Sequence, residues 1–265
     1  MASIHLVSPA IRVARNRLLF VVVCFLVLFS AAAVRAVDGK GGFTATLANC
    51  TELIGFGPVP LATVQPLVPS AFTIVNLAPG TAGLVVRTSS CDQFNLDHGR
   101  TGPALVAQIG VAIVSPDGSG DINNYSLLYV TNNEKLAEEL REAGLPAQMD
   151  RTLAYEFTPA PDGSGELYAA VSPVDGPYFL TGTALPPPGP PSPVVANWWF
   201  AGRQSTVKLS TSIPAIAYGS STAVLHTSNA TPLGRLIGGN SYSSFLFLNA
   251  RGVFASGQFA VSVSH

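Results

Sequence analysis

The stretch that decides the fold is Tyr129-Val-Thr-Asn-Asn-Glu-Lys-Leu136, where the spacing of apolar residues changes from that of a strand to that of a helix. Residues 125–131, which include the start of this stretch, are rich in β-branched and aromatic side chains, and this composition is typical of a strand. After it, apolar residues three and four positions apart form one helix face: Leu136, Leu140 and Ala143. Asn132 or Asn133 can cap this helix and Gly144 can end it, so we predict a helix over residues 133–143.

Most of the remaining chain consists of short strand-like runs, bounded by Gly, Pro, Asn or Asp. They cover residues 72–77, 83–88, 105–115, 125–131, 153–158, 167–172, 206–211, 222–227, 245–248 and 253–263. One helix does not supply the alternation of strands and helices that a parallel sheet requires. The sequence therefore predicts a mainly β protein, built as an antiparallel sandwich or barrel.

The pentapeptide Pro-Asp-Gly-Ser-Gly occurs twice between these runs, at residues 116–120 and 161–165. Gly supplies the positive φ of a tight turn, and Asp hydrogen-bonds its own backbone, so both copies predict hairpin turns. A calcium loop is the alternative. It fails because Ile122 and Leu167 stand where the loop needs its glycine, and we expect no metal site.

The composition limits the possible partners. The chain has 265 residues, 48% hydrophobic and 11% charged, with a net charge of -1, which excludes an intrinsically disordered chain. Its 14 Lys and Arg form no basic stripe, so we expect no nucleic acid partner.

The longest apolar run, residues 18–34, follows Arg12, Arg15 and Arg17 and precedes Ala36. This pattern predicts a secretory signal peptide over residues 1–36. An uncleaved membrane anchor is the alternative, because the run just reaches spanning length. Either interpretation carries the rest of the chain across the membrane, and we expect a secreted or extracellular protein with no later membrane segment.

Residues 37–265 have ten basic and fifteen acidic side chains, a net charge of -5. Within them, residues 185–193 contain six prolines in nine residues. This segment can be a domain linker or an exposed loop. Only about 70 residues follow it, and a segment of this length without a disulfide forms at best a marginal hydrophobic core of its own. We therefore predict that residues 185–193 are a loop within a single domain over residues 37–265.

Two cysteines, Cys50 and Cys91, remain after signal removal, and in an oxidising compartment they predict a disulfide. Three Asn-x-Ser/Thr sequons predict glycosylation of Asn49, Asn124 and Asn229.

Residues 37–265 contain no Gly-x-Ser-x-Gly nucleophile motif, no His-Glu-x-x-His zinc-binding motif and no Gly-x-x-x-x-Gly-Lys phosphate-binding motif. The polar residues after Cys91 are Asp92, Gln93, Asn95, Asp97, His98 and Arg100. They can perform acid–base chemistry or form a solvated loop pinned by the disulfide. Trp198 and Trp199 must point to opposite faces of a strand. Together with Tyr125 and Tyr129 they are candidate ligand-binding residues, although packing explains them equally well.

Several segments follow one another in a recognisable order: Val64-Gln-Pro-Leu-Val-Pro69, the strand and helix around Tyr129 to Leu136, the strands over residues 153–172, and Leu225-His-Thr-Ser-Asn-Ala-Thr-Pro-Leu-Gly-Arg-Leu236. This order resembles the acetoacetate decarboxylase-like β-barrel family. The resemblance implies a curved antiparallel sheet closed into a barrel around a small apolar cavity, with one or two short helices.

In that family, one lysine of a pair ahead of a Leu forms a Schiff base with a β-keto acid, and no cofactor is needed. The matching place here contains Glu134 and Lys135, so the pair is broken. Glu138 and Glu139 follow Lys135 at helical spacing and favour its protonated form. We therefore expect a non-catalytic barrel that binds a small apolar or keto-type ligand.

Two alternatives stay open. The first is an active lyase, a carbon–carbon decarboxylase that uses Lys135 with His98 or Arg100 assisting. The second is a cell-surface structural glycoprotein that makes contacts through its proline-rich loop and glycans. The sequence indicates neither the ligand nor the oligomeric state.

Overall fold

A computed structural model describes residues 41–97, 99–100, 102–173, 176–202 and 204–265. Seven strands close into a barrel: β1 (Phe43–Pro60), β3 (Thr81–Leu96), β5 (Ala104–Ala112), β6 (Ile122–Thr131), β11 (Ser192–Ala201), β12 (Thr206–Ser220) and β15 (Leu248–Ser264). Their order around the barrel is β1, β15, β12, β11, β6, β5 and β3, and the ring closes because β1 pairs with both β15 and β3. The predicted mainly β closed barrel is therefore confirmed.

One pair of neighbours in the barrel departs from the antiparallel expectation. β6 and β11 run parallel, and Trp198 lies opposite Asn124 in their register. A parallel pair needs a long crossover connection. Here the connecting chain contains a helix and three strands of a second sheet, so sequence patterns confined to single strands could not reveal this pairing.

The second sheet has five strands in the order β14, β13, β10, β9 and β8. Their bounds are β8 (Ala154–Pro159), β9 (Gly165–Val171), β10 (Tyr178–Ala184), β13 (Val224–Thr227) and β14 (Ser241–Tyr242). Three short strands extend the barrel sheet: β2 (Asn76–Ala78), β4 (Gly99–Arg100) and β7 (Gln148–Met149). The helices are α1 (Leu61–Val64), a 3-10 turn (Gln65–Leu67), α2 (Glu134–Glu142) and α3 (Pro232–Ile237).

Helix α2 forms where the sequence predicts it. The Asn133 side chain caps it by accepting a 3.0 Å hydrogen bond from the Leu136 N–H, and Gly144 follows with φ 99°. Leu136 and Leu140 pack into the same apolar cluster as the barrel interior. The helix thus adds its apolar face to the core of the barrel.

Both Pro-Asp-Gly-Ser-Gly segments form the predicted hairpin turns. Asp117 accepts a 3.0 Å hydrogen bond from the Ser119 N–H, and Asp162 accepts one of the same length from Ser164. The first turn joins β5 to β6 and the second joins β8 to β9, and both pairs of strands are antiparallel.

Alternate side chains of the barrel strands enter two separate cores. On β3, Val85 packs in the barrel interior, whereas Leu84 and Val86 pack in an outer core against the second sheet and α3. Trp198 and Trp199 point to opposite faces as predicted, into the interior and the outer core respectively. Both are buried, and Trp199 is covered in part by Lys208 and donates a 2.9 Å hydrogen bond to Asn123.

Cys50 and Cys91 form the predicted disulfide, with an S–S distance of 2.03 Å. They are register partners on β1 and β3. The proline-rich segment, residues 185–193, follows β10, which ends at Ala184, and its last two residues are the first two of β11.

The predicted signal peptide, residues 1–36, lies outside the described residues. Across the residues that the structure does describe, none of the helices combines the length and apolar character needed to cross a membrane.

Candidate functional site

Four polar side chains from four strands meet inside the barrel. Arg87 Nε donates to Glu52 Oε2 at 2.7 Å, and Arg87 Nη1 donates to Gln108 Oε1 at 2.7 Å. The Tyr218 hydroxyl donates to Glu52 Oε1 at 2.9 Å. We call Glu52, Arg87, Gln108 and Tyr218 the barrel network.

Sheet register explains why these residues meet. Gln108 is the direct partner of Arg87 across β3 and β5. Glu52 and Tyr218 are both partners of Gly252, which lies between them on β15. A Cβ on Gly252 would come within 2.8 Å of the Tyr218 ring and 3.0 Å of Glu52, so the absence of a side chain lets Tyr218 reach the carboxylate.

The barrel network is shielded from water. The Glu52 side chain is 3% exposed and that of Arg87 is 12% exposed. Burial works to lower the pKa of Arg87, but the Glu52 carboxylate outweighs it and raises that pKa above its ordinary value. Burial, followed by the charge of Glu52, raises the pKa of Tyr218. At neutral pH, Arg87 is therefore a cation and Tyr218 a neutral phenol, and both donate to Glu52.

A chain of cavities passes this network. At one end of the barrel, a pocket of about 260 Å³ is lined by apolar side chains and by Asp121, Asn123 and Asn124. It shares Ile54, Ile122 and Asn124 with a cavity of about 20 Å³ that touches Glu52 and Tyr218. We call the larger space the mouth pocket.

Beyond this small cavity lies another of about 20 Å³, which contacts Arg87, Gln108 and Tyr129. Each small cavity has room for about one water molecule. The mouth pocket is thus the only one of the three spaces with room for an organic molecule, and it leads toward the network.

Asn124 lies where the mouth pocket meets the first small cavity. It is 2% exposed, and its Oδ1 has no hydrogen-bond partner. Its register partner is Trp198, which faces the barrel interior. Buried polar atoms in native proteins are normally paired, so an orphan acceptor lining a cavity marks a place where a bound molecule can donate.

Lysine is missing from the barrel interior, as far as the structure describes the chain. Lys135 lies on α2, with a half-exposed side chain 3.0 Å from Glu139 and 4.0 Å from Glu138. The hydrogen bond that Lys135 donates to Glu139, together with the negative charge of Glu139, raises the pKa of Lys135, which keeps the amine protonated. The third lysine, Lys40, is outside the described residues.

Lys208 is on the outer face of the barrel. Its register partner is Trp199, whose ring centre lies 5.0 Å from the ammonium. The same ammonium donates to Asp117 Oδ2 and Ser119 Oγ, both at 2.6 Å. Lys208 therefore fastens the first hairpin turn to the outside of the barrel, away from the cavities.

Of the other candidate catalytic residues, Glu134 has a described side chain, and it does not join the barrel network. Glu134 is exposed on α2, where its carboxylate lies 3.4 Å from Arg151. Arg100 is in β4, and only its backbone is described. His98 lies outside the described residues. Neither Glu134 nor Lys135 lines the mouth pocket or the two small cavities of the barrel.

The four candidate ligand-binding residues separate into two pairs. Tyr129 and Trp198 are in the barrel interior. Trp198 lines the small cavity next to the mouth pocket, and Tyr129 lines the other small cavity. Burial raises the pKa of Tyr129, although the charge of Arg87 opposes this. Tyr125 and Trp199 are in the outer core, where Tyr125 packs on Phe72. Of these four residues, only Tyr129 and Trp198 line cavities inside the barrel.

The sequons differ in accessibility. Asn49 and Asn229 are exposed. Asn124 is buried inside the barrel, and a glycan on its side chain cannot be accommodated there. This burial corrects the expectation that Asn124 is a surface acceptor.

A second cavity, of about 270 Å³, lies in the outer core beside α3. Its lining includes Leu128, Tyr178, Leu233 and Leu236 and contains no charged side chain. No group of three or more His, Cys, Asp or Glu in the described part of the chain could hold a metal ion. The barrel interior, which contains the barrel network, is therefore the stronger candidate for a functional site.

Sequence reasoning missed the barrel network entirely. The signal was present, since Arg87 interrupts the apolar strand Gly83-Leu-Val-Val-Arg-Thr88 and Glu52 lies in a strand two residues after Cys50. Charged residues are almost never fully buried without a partner, so Arg87 in an apolar strand indicated a buried acidic partner elsewhere in the chain, without saying which residue it is.

Solved structures share this fold. An acetoacetate decarboxylase from Legionella pneumophila is 12% identical and has a TM-score of 0.54, with 89% of this chain and 93% of that chain covered. Another acetoacetate decarboxylase structure is 9% identical, with a TM-score of 0.54 and coverage of 83% and 89%.

The enduracididine biosynthesis enzyme MppR is 15% identical with a TM-score of 0.50, over 83% of this chain and 88% of that chain. It was solved with the condensation product of pyruvate and imidazole 4-carboxaldehyde. No protein-family model and no curated protein sequence matches the chain. The structural likeness confirms the acetoacetate decarboxylase-like fold that the sequence resemblance implied.

Proposed function

From the acetoacetate decarboxylase-like fold of this chain, we propose that it binds a small apolar or keto-type molecule in its barrel, without covalent catalysis. One observation carries the proposal: cavities lead from the mouth pocket to a buried polar network, and no described lysine faces them. Apolar walls with a few placed polar groups are typical of ligand sites.

We expect no Schiff-base chemistry because of the groups that the structure describes in the barrel interior. A Schiff base needs an unprotonated amine beside the substrate. The interior cation is the guanidinium of Arg87, which stays protonated and is not a nucleophile. Glu52 keeps both of its carboxylate oxygens in hydrogen bonds. The network is thus suited to holding and orienting a ligand.

Borohydride trapping tests the proposal. The purified protein is incubated with acetoacetate and sodium borohydride, digested, and its peptides are weighed by mass spectrometry. We expect no acetoacetate-derived adduct on Lys135 or Lys208. Formaldehyde with the same reductant is the control, and it should methylate the exposed Lys135. An adduct on either lysine with acetoacetate would overturn the non-catalytic proposal and favour the lyase.

We also propose that the protein is secreted after cleavage of residues 1–36. The disulfide between Cys50 and Cys91 is consistent with an oxidising compartment. Intact mass and N-terminal sequencing of protein recovered from the medium should give Val37 as the first residue. Glycans are expected on Asn49 or Asn229. Protein retained in membranes with Met1 still attached would support the uncleaved anchor.

A further inference from the structure

The orphan acceptor on Asn124 points to the kind of molecule that the barrel takes. We propose that the ligand is uncharged, with an apolar body and one O–H or N–H group that donates to Asn124 Oδ1. This inference rests on the proposed function, and it narrows the ligand class from apolar or keto-type molecules to neutral donors.

The hydrogen-bond requirement comes first. Asn124 Oδ1 is buried and has no partner, and Asn124 lines both the mouth pocket and the small cavity beside the barrel network. An amide oxygen can only accept, so the bound molecule must donate. A ketone without a hydroxyl or amine cannot satisfy this atom.

Charge is the second requirement. Arg87 is already neutralised by Glu52 at 2.7 Å, and its Nη1 is bonded to Gln108. An anionic ligand could reach the guanidinium only by competing with a buried carboxylate, which is costly in a dry interior. The carboxylate of Asp121 also lines the mouth pocket and repels anions. These groups disfavour a keto-acid anion.

The walls and volume set the third requirement. Ile54, Phe56, Val85, Ile122 and Leu248 line the mouth pocket. A cavity of about 150 Å³ binds benzene. At about 260 Å³, the mouth pocket has room for a body about the size of naphthalene.

Three probes with one skeleton test these requirements: naphthalene, 2-naphthol and 2-naphthoate. Their affinities for the full secreted chain are measured by calorimetry at pH 7. We expect 2-naphthol to bind about fivefold to tenfold more tightly than naphthalene, which is the usual effect of one buried hydrogen bond. We expect 2-naphthoate to bind at least about 100-fold more weakly than 2-naphthol.

The variant Asn124→Leu separates a ligand contact from a structural role. Leucine has the same number of side-chain heavy atoms and the same branching but no acceptor. We expect the preference for 2-naphthol over naphthalene to disappear, while naphthalene binds as before. The thermal unfolding midpoint should stay the same or rise, because an unsatisfied buried acceptor has been removed.

Asn229→Leu is the matched control, since Asn229 is exposed on another part of the chain, and it should leave all three affinities unchanged. An unchanged 2-naphthol preference in Asn124→Leu would overturn the inference. So would tighter binding of 2-naphthoate than of 2-naphthol, although the proposed barrel site would then still stand. If none of the probes binds and acetoacetate does not bind either, the proposed function itself fails.

Discussion

Arg87 and Glu52 form an ion pair of 2.7 Å inside the barrel, whereas Lys135 and Glu139 form one of 3.0 Å on α2. The first pair has side chains that are 12% and 3% exposed, and the second 50% and 15%. The two ion pairs therefore have similar distances but differ in how much of their side chains is exposed to water. Water screens the charges of the pair on α2. The two charges of the interior pair have lost their hydration, so each depends on the opposite charge for its stabilisation.

The two pairs also bear on the proposal that the barrel binds its ligand without amine chemistry. The accessible amine of Lys135 has its pKa raised by Glu139. The buried cation, Arg87, is a guanidinium whose pKa is raised as well, by Glu52 against the effect of burial. Neither cation supplies a neutral amine near the cavities, and the interior pair is left with a structural and orienting role.

The largest effect is expected from breaking the interior pair with Arg87→Met. This variant leaves the buried Glu52 carboxylate without its cation. We expect the free energy of unfolding to fall by about 3 to 5 kcal/mol at pH 7. Urea unfolding followed by far-ultraviolet circular dichroism measures it.

A double variant tests the assignment of that loss to an unpaired charge. Arg87→Met combined with Glu52→Leu removes both charges, and we expect about half of the lost stability to return. The recovery is incomplete because Gln108 and Tyr218 each lose a hydrogen bond. A double variant no more stable than Arg87→Met would mean that packing, not charge, dominates this region.

The disulfide variant Cys50→Ala with Cys91→Ala removes a link on the same two strands that hold the interior pair. The cysteines are 41 residues apart, and restricting a loop of this length stabilises a fold by about 2 to 4 kcal/mol. Because this effect acts on the unfolded chain, the difference between wild type and Arg87→Met should persist without the disulfide. Loss of that difference would show that the disulfide positions the network.

Tyr218→Phe weakens the interior pair without breaking it. It removes a hydrogen bond to a buried carboxylate, and we expect a loss of about 1.5 to 3 kcal/mol at pH 7. Burial and Glu52 raise the pKa of Tyr218 above its ordinary 10.0. In wild type the stabilisation is therefore complete below about pH 10 and declines above it, when the unfolded tyrosine ionises.

Phenylalanine does not titrate, so the stability difference between wild type and Tyr218→Phe should shrink between pH 9 and about pH 11. Urea unfolding at both pH values measures this change. A difference that grows with pH would show that Tyr218 ionises more readily in the folded protein than in the unfolded chain.

Local patterns in the sequence predicted the elements that depend on neighbouring residues. Asn133 caps α2, the two Pro-Asp-Gly-Ser-Gly segments form hairpin turns, and Lys135 pairs with Glu138 and Glu139. Each contact spans four residues or fewer, so propensity and spacing suffice.

The barrel network could not be predicted in this way. Glu52 is 35 positions from Arg87 and 166 from Tyr218. Their contacts depend on the closure of β1 against β3 and β15, and on the room that Gly252 leaves between two side chains. Such register is a property of the whole sheet, and periodicity within one strand carries no information about it.

The same limit affected the site residues. The sequence directed attention to Lys135 because of its neighbours, but its helix presents that side chain to water. Tyr125 and Trp199 were grouped with Tyr129 and Trp198 because they are aromatic, and only the register separates the outer pair from the interior pair.

The smallest effect is expected at the exposed pair, with Lys135→Met. The Lys135 side chain is half-exposed, and a helix pair of this kind contributes only about 0.3 to 0.5 kcal/mol, so we expect almost no change in urea unfolding at pH 7. The affinity for 2-naphthol should also stay the same, because Lys135 does not line the barrel cavities. Calorimetry and unfolding on one sample measure both quantities. A loss of 2-naphthol affinity with unchanged unfolding would show that Lys135 takes part in ligand binding. The pair on α2 could then no longer be treated as functionally different from the interior pair.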